Sequence, residues 1–120
     1  MKNAIEQADR GRRTAVPTSS QVVLTPDRAI THENCHEIEK TFQSAIKKDK
    51  TEIIFDCQKI EFMDSAALEL LLQIHSELSS RRGALKIIGL NDVCQDIFSA
   101  TRLNNVLLIY KDIHEATRNI

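Results

Sequence analysis

Apolar positions along the chain follow two periodicities that alternate. Short aliphatic or β-branched runs predict strands at residues 22–24, 52–56, 85–88 and 106–109. Apolar residues spaced three and four apart predict helices near residues 31–50 and 65–82, from Asn91 or Asp92 to Phe98, and from Asp112 to Thr117. Strand and helix alternate four times, which is typical of parallel α/β units. We predict one domain over residues 20–120, with a four- to five-stranded mixed or parallel sheet and helices packed on it.

The helical segments carry their own start and stop signals. Thr31 is expected to cap the first helix, and residues 47–50 end it with lysines near the negative end of its dipole. The segment 65–82 is nearly all apolar except for a narrow polar stripe, so it is predicted to be the central and most buried helix. Gly83 is well placed to terminate it.

Residues 1–19 differ from the rest because they are charged and contain few apolar side chains before Pro17. A segment of this composition cannot bury enough apolar surface to offset the entropy of ordering. We predict a flexible N-terminal arm.

Composition narrows the function classes. The chain has no Trp, one Tyr and a net charge of -1, which argues against binding to nucleic acid through aromatic platforms or clustered cations. Its three cysteines form no C-x-x-C pair, so neither a disulfide framework nor a zinc knuckle is indicated. No apolar run is long enough to span a membrane. We expect a cytoplasmic protein without metal or cofactor, while the oligomeric state stays open.

Asp64-Ser65 lies where a strand-to-loop segment meets the start of the central helix. Asp and Ser are common N-cap residues, so position alone favours a capping role. The same helix start gathers free backbone N–H groups and the positive end of the dipole, which would also support a phosphate.

The wider pattern resembles the STAS domains, and the anti-sigma factor antagonists in particular. An aspartate, Asp56, ends a strand, Ile60 and the aromatic Phe62 follow, and Asp64-Ser65 opens a Leu-rich helix. The resemblance extends from Val22 to the C-terminus and is most specific between Asp56 and Leu68.

The resemblance implies that Ser65 is a phosphoacceptor and that the domain is not itself an enzyme. The unphosphorylated domain would bind an anti-sigma factor that is also a serine kinase of the ATPase-fold type. Phosphorylation would release the domain from this partner, and a phosphatase would remove the phosphate. Asp64 would orient the hydroxyl or contact the kinase, and Asp56 would be a supporting carboxylate. The remaining predicted partner contacts are an apolar rim of Met63, Ala66 and Ala67, and outer contacts at Asp27 and Asn91.

Two positions depart from the family pattern. The family often has glycine where this chain has Ala67, and also near residues 28–30 after the first strand. A β-carbon at either place could limit how closely a partner backbone approaches, so the departures bear on the partner's identity.

Other interpretations of single residues have less support. Asp56 could be the phosphoacceptor of a response-regulator receiver, but residues 25–27 lack the required acidic pair, although Lys111 follows the last strand. His32, Cys35 and His36 lie within one helical turn without a zincin pattern, which favours chance spacing over a metal site.

For the protein as a whole, the stronger alternative to a phosphorylation switch is a constitutive STAS docking subunit of a transport assembly, such as an ABC-type lipid transporter. A stress-signalling complex built from STAS domains is a third alternative.

Overall fold

A four-stranded parallel sheet organises the protein, for which a computed structural model describes residues 20–118. The strands are β1 (Gln21–Leu24), β2 (Glu52–Asp56), β3 (Ala84–Ile88) and β4 (Leu108–Tyr110). They stand in the order β1-β2-β3-β4, and every neighbouring pair is parallel. The predicted α/β class and element order are therefore confirmed, with a fully parallel sheet in this region. The predicted N-terminal arm, residues 1–19, lies outside the described residues.

Helices follow each strand. They are α1 (Cys35–Lys47), α2 (Ser65–Ser80), α3 (Asp92–Ala100) and the short α4 (Ile113–Thr117), with a 3-10 turn at Leu103–Asn105. Helix α2 buries six residues, against three in α1 and two in α3. The near-continuous apolar sequence of α2 therefore corresponds to the central position it takes in the core.

The main core lies between one face of the sheet and helices α1, α2 and α3. Alternate residues of the two central strands face it, since side chains along a strand point to opposite sides. The strand residues Ile53, Phe55, Leu85 and Ile87 all belong to this cluster, together with the buried side chains of the three helices. Phe42 of α1 packs on Phe55 of β2 with ring centroids 5.0 Å apart.

The opposite face of the sheet contains a second, smaller cluster. Ile54 and Ile88 pack with Ala116 of α4 and with the partly buried Tyr110. Beside them Lys86 forms an ion pair with Glu52, and each side chain is only 10% exposed. The Lys86 ammonium also donates to the carbonyl oxygen of Ala116 at 2.8 Å, which joins α4 to the sheet.

Two element boundaries differ from the prediction. Helix α1 begins at Cys35 and its N-cap is Asn34, so the cap predicted at Thr31 is wrong. Residues 31–34 form a turn in which the Asn34 side-chain oxygen accepts from the N–H of Thr31 at 2.8 Å. The last strand begins at Leu108 instead of residue 106, because a 3-10 turn precedes it and leaves Val106 exposed.

The end of α2 also differs in detail. The helix ends at Ser80, and Arg82, with φ of 63°, takes the left-handed conformation that usually favours glycine. The N–H of Gly83 then donates to the carbonyl of Leu78 at 2.7 Å. Gly83 has a different reason to be glycine: a β-carbon there would lie 2.0 Å from the backbone oxygen of Thr51.

Candidate functional site

The carboxyl ends of the four strands meet at one edge of the sheet, where Ser65 begins α2. Ligand and partner sites in open α/β sheets commonly lie at this edge. The loops that reach it from β1, β2 and β3 are residues 25–34, 57–64 and 89–91. The 57–64 loop leads directly into Ser65, so its position sets the position of the serine.

Backbone hydrogen bonds hold the 57–64 loop against the loop that follows β1. Ile30 and Met63 form an isolated parallel bridge. The N–H of Ile30 donates to the carbonyl of Phe62 at 3.0 Å, and the N–H of Asp64 donates to the carbonyl of Ile30 at 3.2 Å. Ile30 and Met63 are each 1% exposed, so this contact is anchored in the core.

Asn91 holds the same loop from its other side. Its side-chain oxygen caps α3 by accepting from the N–H of Cys94 at 2.8 Å. Its side-chain amide also donates to the carbonyls of Ile60 and Glu61, both at 3.3 Å. The structure therefore gives Asn91 a local supporting role in addition to the outer contact predicted for it.

Asp64 is the N-cap of α2, and both of its carboxylate oxygens are engaged. One oxygen accepts from the N–H of Ala67 at 3.1 Å, and the other accepts from the N–H of His32 at 2.8 Å. The His32 ring nitrogen Nδ1 lies 3.3 Å from that second oxygen. The backbone N–H of His32 contributes most to holding the pKa of Asp64 below its ordinary value; partial desolvation opposes this, and the N–H of Ala67 adds to the lowering. Sequence reasoning missed His32 here, because no pattern joins residues 32 positions apart.

Ser65 is the first residue of α2 and is exposed. Its hydroxyl forms no hydrogen bond with the part of the chain that the structure describes, since Asp64 provides the cap. A phosphate at this position would lie at the positive end of the dipole of a helix that is 16 residues long.

The apolar residues around Ser65 divide into buried and exposed groups. Met63 and Ala67, predicted for the apolar rim, are each only 1% exposed and belong to the core, while Ala66 is half-buried. Exposed apolar side chains at this edge include Phe62, three residues before Ser65, and Val93 in the first turn of α3. Because exposure depends on packing, the sequence pattern could not distinguish these two residues from their buried neighbours.

The family model of the STAS domain matches residues 13–116 of this sequence. The chain belongs to the STAS domain family. The resemblance noted in the sequence is thereby confirmed, and Asp64-Ser65 lies at the start of the central STAS helix.

Relatives of this STAS domain include anti-sigma factor antagonists. A protein of Thermotoga maritima provisionally named an anti-sigma factor antagonist is 27% identical over 100 residues, which cover 82% of this chain and 88% of the relative. A crystal structure of a T. maritima protein with the same provisional name is 26% identical and has a TM-score of 0.78; the match covers 83% of this chain and 89% of that one. The unphosphorylated form of the anti-sigma factor antagonist SpoIIAA has a TM-score of 0.64 at 19% identity, with 85% and 89% covered, and supports the fold.

Two further predicted residues lie in the loops of this STAS domain. Asp56 is half-buried at the end of β2, where its side chain accepts from the N–H of Gln58 at 3.0 Å. It thus shapes the start of the 57–64 loop. Asp27 is exposed and lies 3.7 Å from the guanidinium of its neighbour Arg28.

Two thiols lie beneath the same loop. Cys57 and Cys94 are fully buried, and the Cys94 sulfur lies 4.0 Å from the carbonyl of Ile60. Burial raises the pKa of Cys57 strongly and that of Cys94 in the same direction. Both cysteines therefore remain protonated thiols that pack as small apolar groups.

The described residues provide no metal centre and no membrane span. Within residues 20–118, no group of three or more His, Cys, Asp or Glu side chains is arranged to hold a metal ion. His36 instead lies 3.9 Å from Glu39 on the same helix. No helix in this range is both long and apolar enough to cross a membrane.

Proposed function

We propose that this STAS protein is a non-enzymatic anti-sigma factor antagonist switched by phosphorylation of Ser65. Unphosphorylated, it binds an anti-sigma factor that is also a serine kinase of the ATPase-fold type. Phosphorylation by that kinase releases it, and a phosphatase restores the binding form.

The observation that carries the proposal is the division of roles between Asp64 and Ser65. Asp64 satisfies the helix start with its own side chain, so the exposed Ser65 hydroxyl is not needed to hold the fold. A kinase can therefore modify Ser65 without breaking a structural hydrogen bond. Relatives named as anti-sigma factor antagonists support the same class of partner.

Electrostatics explains why phosphate would favour release. A phosphoserine adds about 1.5 to 2 negative charges at neutral pH. The added charge lies beside Asp64, whose lowered pKa keeps it ionised. Burying such a group in an interface without a cationic partner costs about 3 to 5 kcal/mol, which is enough to dissociate a complex of ordinary affinity. In the free domain, the helix start and water would stabilise the phosphate.

The exposed apolar residues at this edge supply the rest of the contact. Phe62 and Val93 are large hydrophobic side chains exposed at the edge that carries Ser65, and aromatic anchors dominate many interfaces. Met63 and Ala67 would act from beneath by fixing the 57–64 loop and the first turn of α2. Asp27, Ala66 and Asn91 would lie at the periphery.

The test is a binding assay with each ATPase-fold serine kinase encoded in the source genome, purified and mixed with wild type, Ser65→Ala and Ser65→Asp. We expect one kinase to bind the first two proteins, to phosphorylate only wild type, and to bind Ser65→Asp at least about tenfold more weakly. Mass spectrometry should locate the phosphate on Ser65.

Ser76→Asp is the matched control, since Ser76 is exposed on the same helix and the substitution adds the same charge away from the helix start. It should bind the kinase like wild type. Equal binding by Ser65→Asp and wild type would refute the switch. If native cells instead yield transporter subunits bound equally to all variants, the protein is a constitutive docking module.

A further inference from the structure

A groove between β1 and α1 lies outside the loops that surround Ser65. It has a volume of about 440 Å³. Its apolar floor is formed by Val22, Leu24 and Ala45, and its sides by Lys40, Thr41, Ser44, Lys48 and Lys50. An adjoining depression of about 370 Å³ shares Lys40, Ser44 and Lys48 and adds Gln43 and Lys47.

The charges around this groove have one sign. Four lysines line the two connected depressions, and no carboxylate is among the lining residues. Lys40 and Lys48 form no ion pair within residues 20–118, and both are exposed. Residues 40, 44 and 48 are spaced four apart along α1 and its C-cap, so they lie in one row about 12 Å long.

Helix stability accounts for only part of this arrangement. Lys47 and Lys48 lie at the C-terminal end of α1, where cations interact favourably with the helix dipole. Lys40 lies about two turns earlier, where the dipole effect has decayed, yet it lines the same groove. Between these lysines the exposed Ser44 has a hydroxyl, a group that binds oxyanions, whereas the Thr41 hydroxyl donates to the carbonyl of Glu37 at 3.2 Å.

We propose that this groove is a binding site for a small amphipathic anion, with one phosphate or carboxylate group and a short apolar chain. Lys40, Lys48 and Ser44 would hold the anionic group, and the apolar chain would lie on Val22, Leu24 and Ala45. The volume is within the range of small-molecule sites. Because the lysines line a concave depression with an apolar floor, we assign the site to a free, monomeric ligand instead of a membrane surface.

Octyl phosphate, kept below its critical micelle concentration, is the probe. We expect calorimetry to detect binding, and NMR of the ¹⁵N-labelled full chain to show shifts confined to β1 and α1. Inorganic phosphate has the anionic group without an apolar chain, and octyl glucoside has an apolar chain without a charge. Each should therefore bind at least about tenfold more weakly than octyl phosphate.

Three variants identify the groove. Lys40→Glu/Lys48→Glu should weaken binding of octyl phosphate by about tenfold or more. Ser44→Trp should block the groove without changing charge. Lys59→Glu/Lys111→Glu changes the net charge equally at exposed positions of the opposite edge, and should bind like wild type.

The proposal is overturned if octyl phosphate does not bind, if both charge-reversal variants lose affinity equally, or if Ser44→Trp binds normally. Binding only to vesicles that contain phosphatidylglycerol would reassign the lysines to a membrane contact and also overturn it. None of these outcomes depends on phosphorylation of Ser65.

Discussion

Asp64 and Ser65 are neighbours in sequence, but their surroundings differ sharply. The Asp64 carboxylate receives N–H groups from its own helix and from the loop after β1, and 25% of its side chain is exposed. Ser65 is exposed and outside this network. One residue thus fixes the helix start while the next remains free for chemistry.

Lowering the pH should weaken the Asp64 network. The folded-state pKa of Asp64 is depressed, so its contribution to stability is present above the unfolded pKa of about 3.9 and is lost as pH falls through the folded value. Asp64→Asn keeps one acceptor oxygen but not the charge. We expect Asp64→Asn to be less stable than wild type at pH 7 and the difference to shrink near pH 3, as measured by urea unfolding. A difference that does not change with pH would contradict this assignment.

The turn after α2 allows an opposed pair of substitutions. Arg82→Gly should stabilise the protein by about 1 kcal/mol, because Arg82 occupies a left-handed conformation that costs a residue with a β-carbon. Gly83→Ala should destabilise it by about 1 to 3 kcal/mol or more, because the new carbon would overlap the Thr51 oxygen. Thermal unfolding of both variants measures the difference. Destabilisation by Arg82→Gly would show that the arginine side chain outweighs the backbone strain.

At the scale of elements, the 57–64 loop is held between two supports. The loop after β1 contacts it through the Ile30–Met63 bridge, and α3 contacts it through Asn91. Helix α2 begins where these supports meet. The position of Ser65 therefore depends on three elements, which a local sequence motif does not describe.

Asn91→Ala should loosen this arrangement. It removes the cap of α3 and both hydrogen bonds to the loop, and the loss of a cap alone costs about 1 kcal/mol. We expect faster hydrogen exchange at the amides of Ile60 to Asp64 than in wild type. Asp112→Ala is the matched control, since Asp112 caps α4 by accepting from Glu115 at 2.8 Å. It should destabilise α4 without accelerating exchange in the loop.

Across the whole molecule, a net charge of -1 conceals a separation of charge. Acidic residues outnumber basic ones at the edge that carries Ser65, where helices begin: Asp27, Glu33, Glu61, Asp64 and Asp92 lie there with Arg28, Lys59 and Lys111. Basic residues concentrate at the opposite edge, where α1 and α2 end: Lys47, Lys48, Lys50, Arg81 and Arg82. Each group suits the helix dipoles beside it, and together they separate the proposed switch from the proposed anion groove.

The buried pair of Glu52 and Lys86 joins the sheet to α4, so its loss should lower the stability of the whole domain. Lys86→Met would leave the Glu52 carboxylate buried without its partner, and should cost about 3 to 5 kcal/mol in urea unfolding. Glu52→Gln/Lys86→Met removes both charges and should recover much of that loss. If the double variant is no more stable than the single one, the hydrogen bond to Ala116 is the dominant contribution.

Local sequence patterns were sufficient to place the elements whose apolar pattern is uninterrupted. β2 and the start of α2 lie where the pattern places them, because five strand residues and a long apolar helix outweigh local alternatives. The start of α1 was predicted incorrectly, since Thr31 and Asn34 are both capping types and the choice depends on the turn between them. The start of β4 was also misplaced, because an apolar run does not distinguish a strand from a 3-10 turn.

The sequence by itself determined the α/β class, the order of the elements and the placing of Asp64-Ser65 at the start of the central helix, because periodicity and capping act over a few residues. Only the tertiary structure decided that His32 binds Asp64, that Met63 and Ala67 are buried, and that Phe62 and Val93 are exposed. These features depend on contacts between segments some 30 residues apart, whose approach is fixed by the packing of the sheet and not by any local pattern.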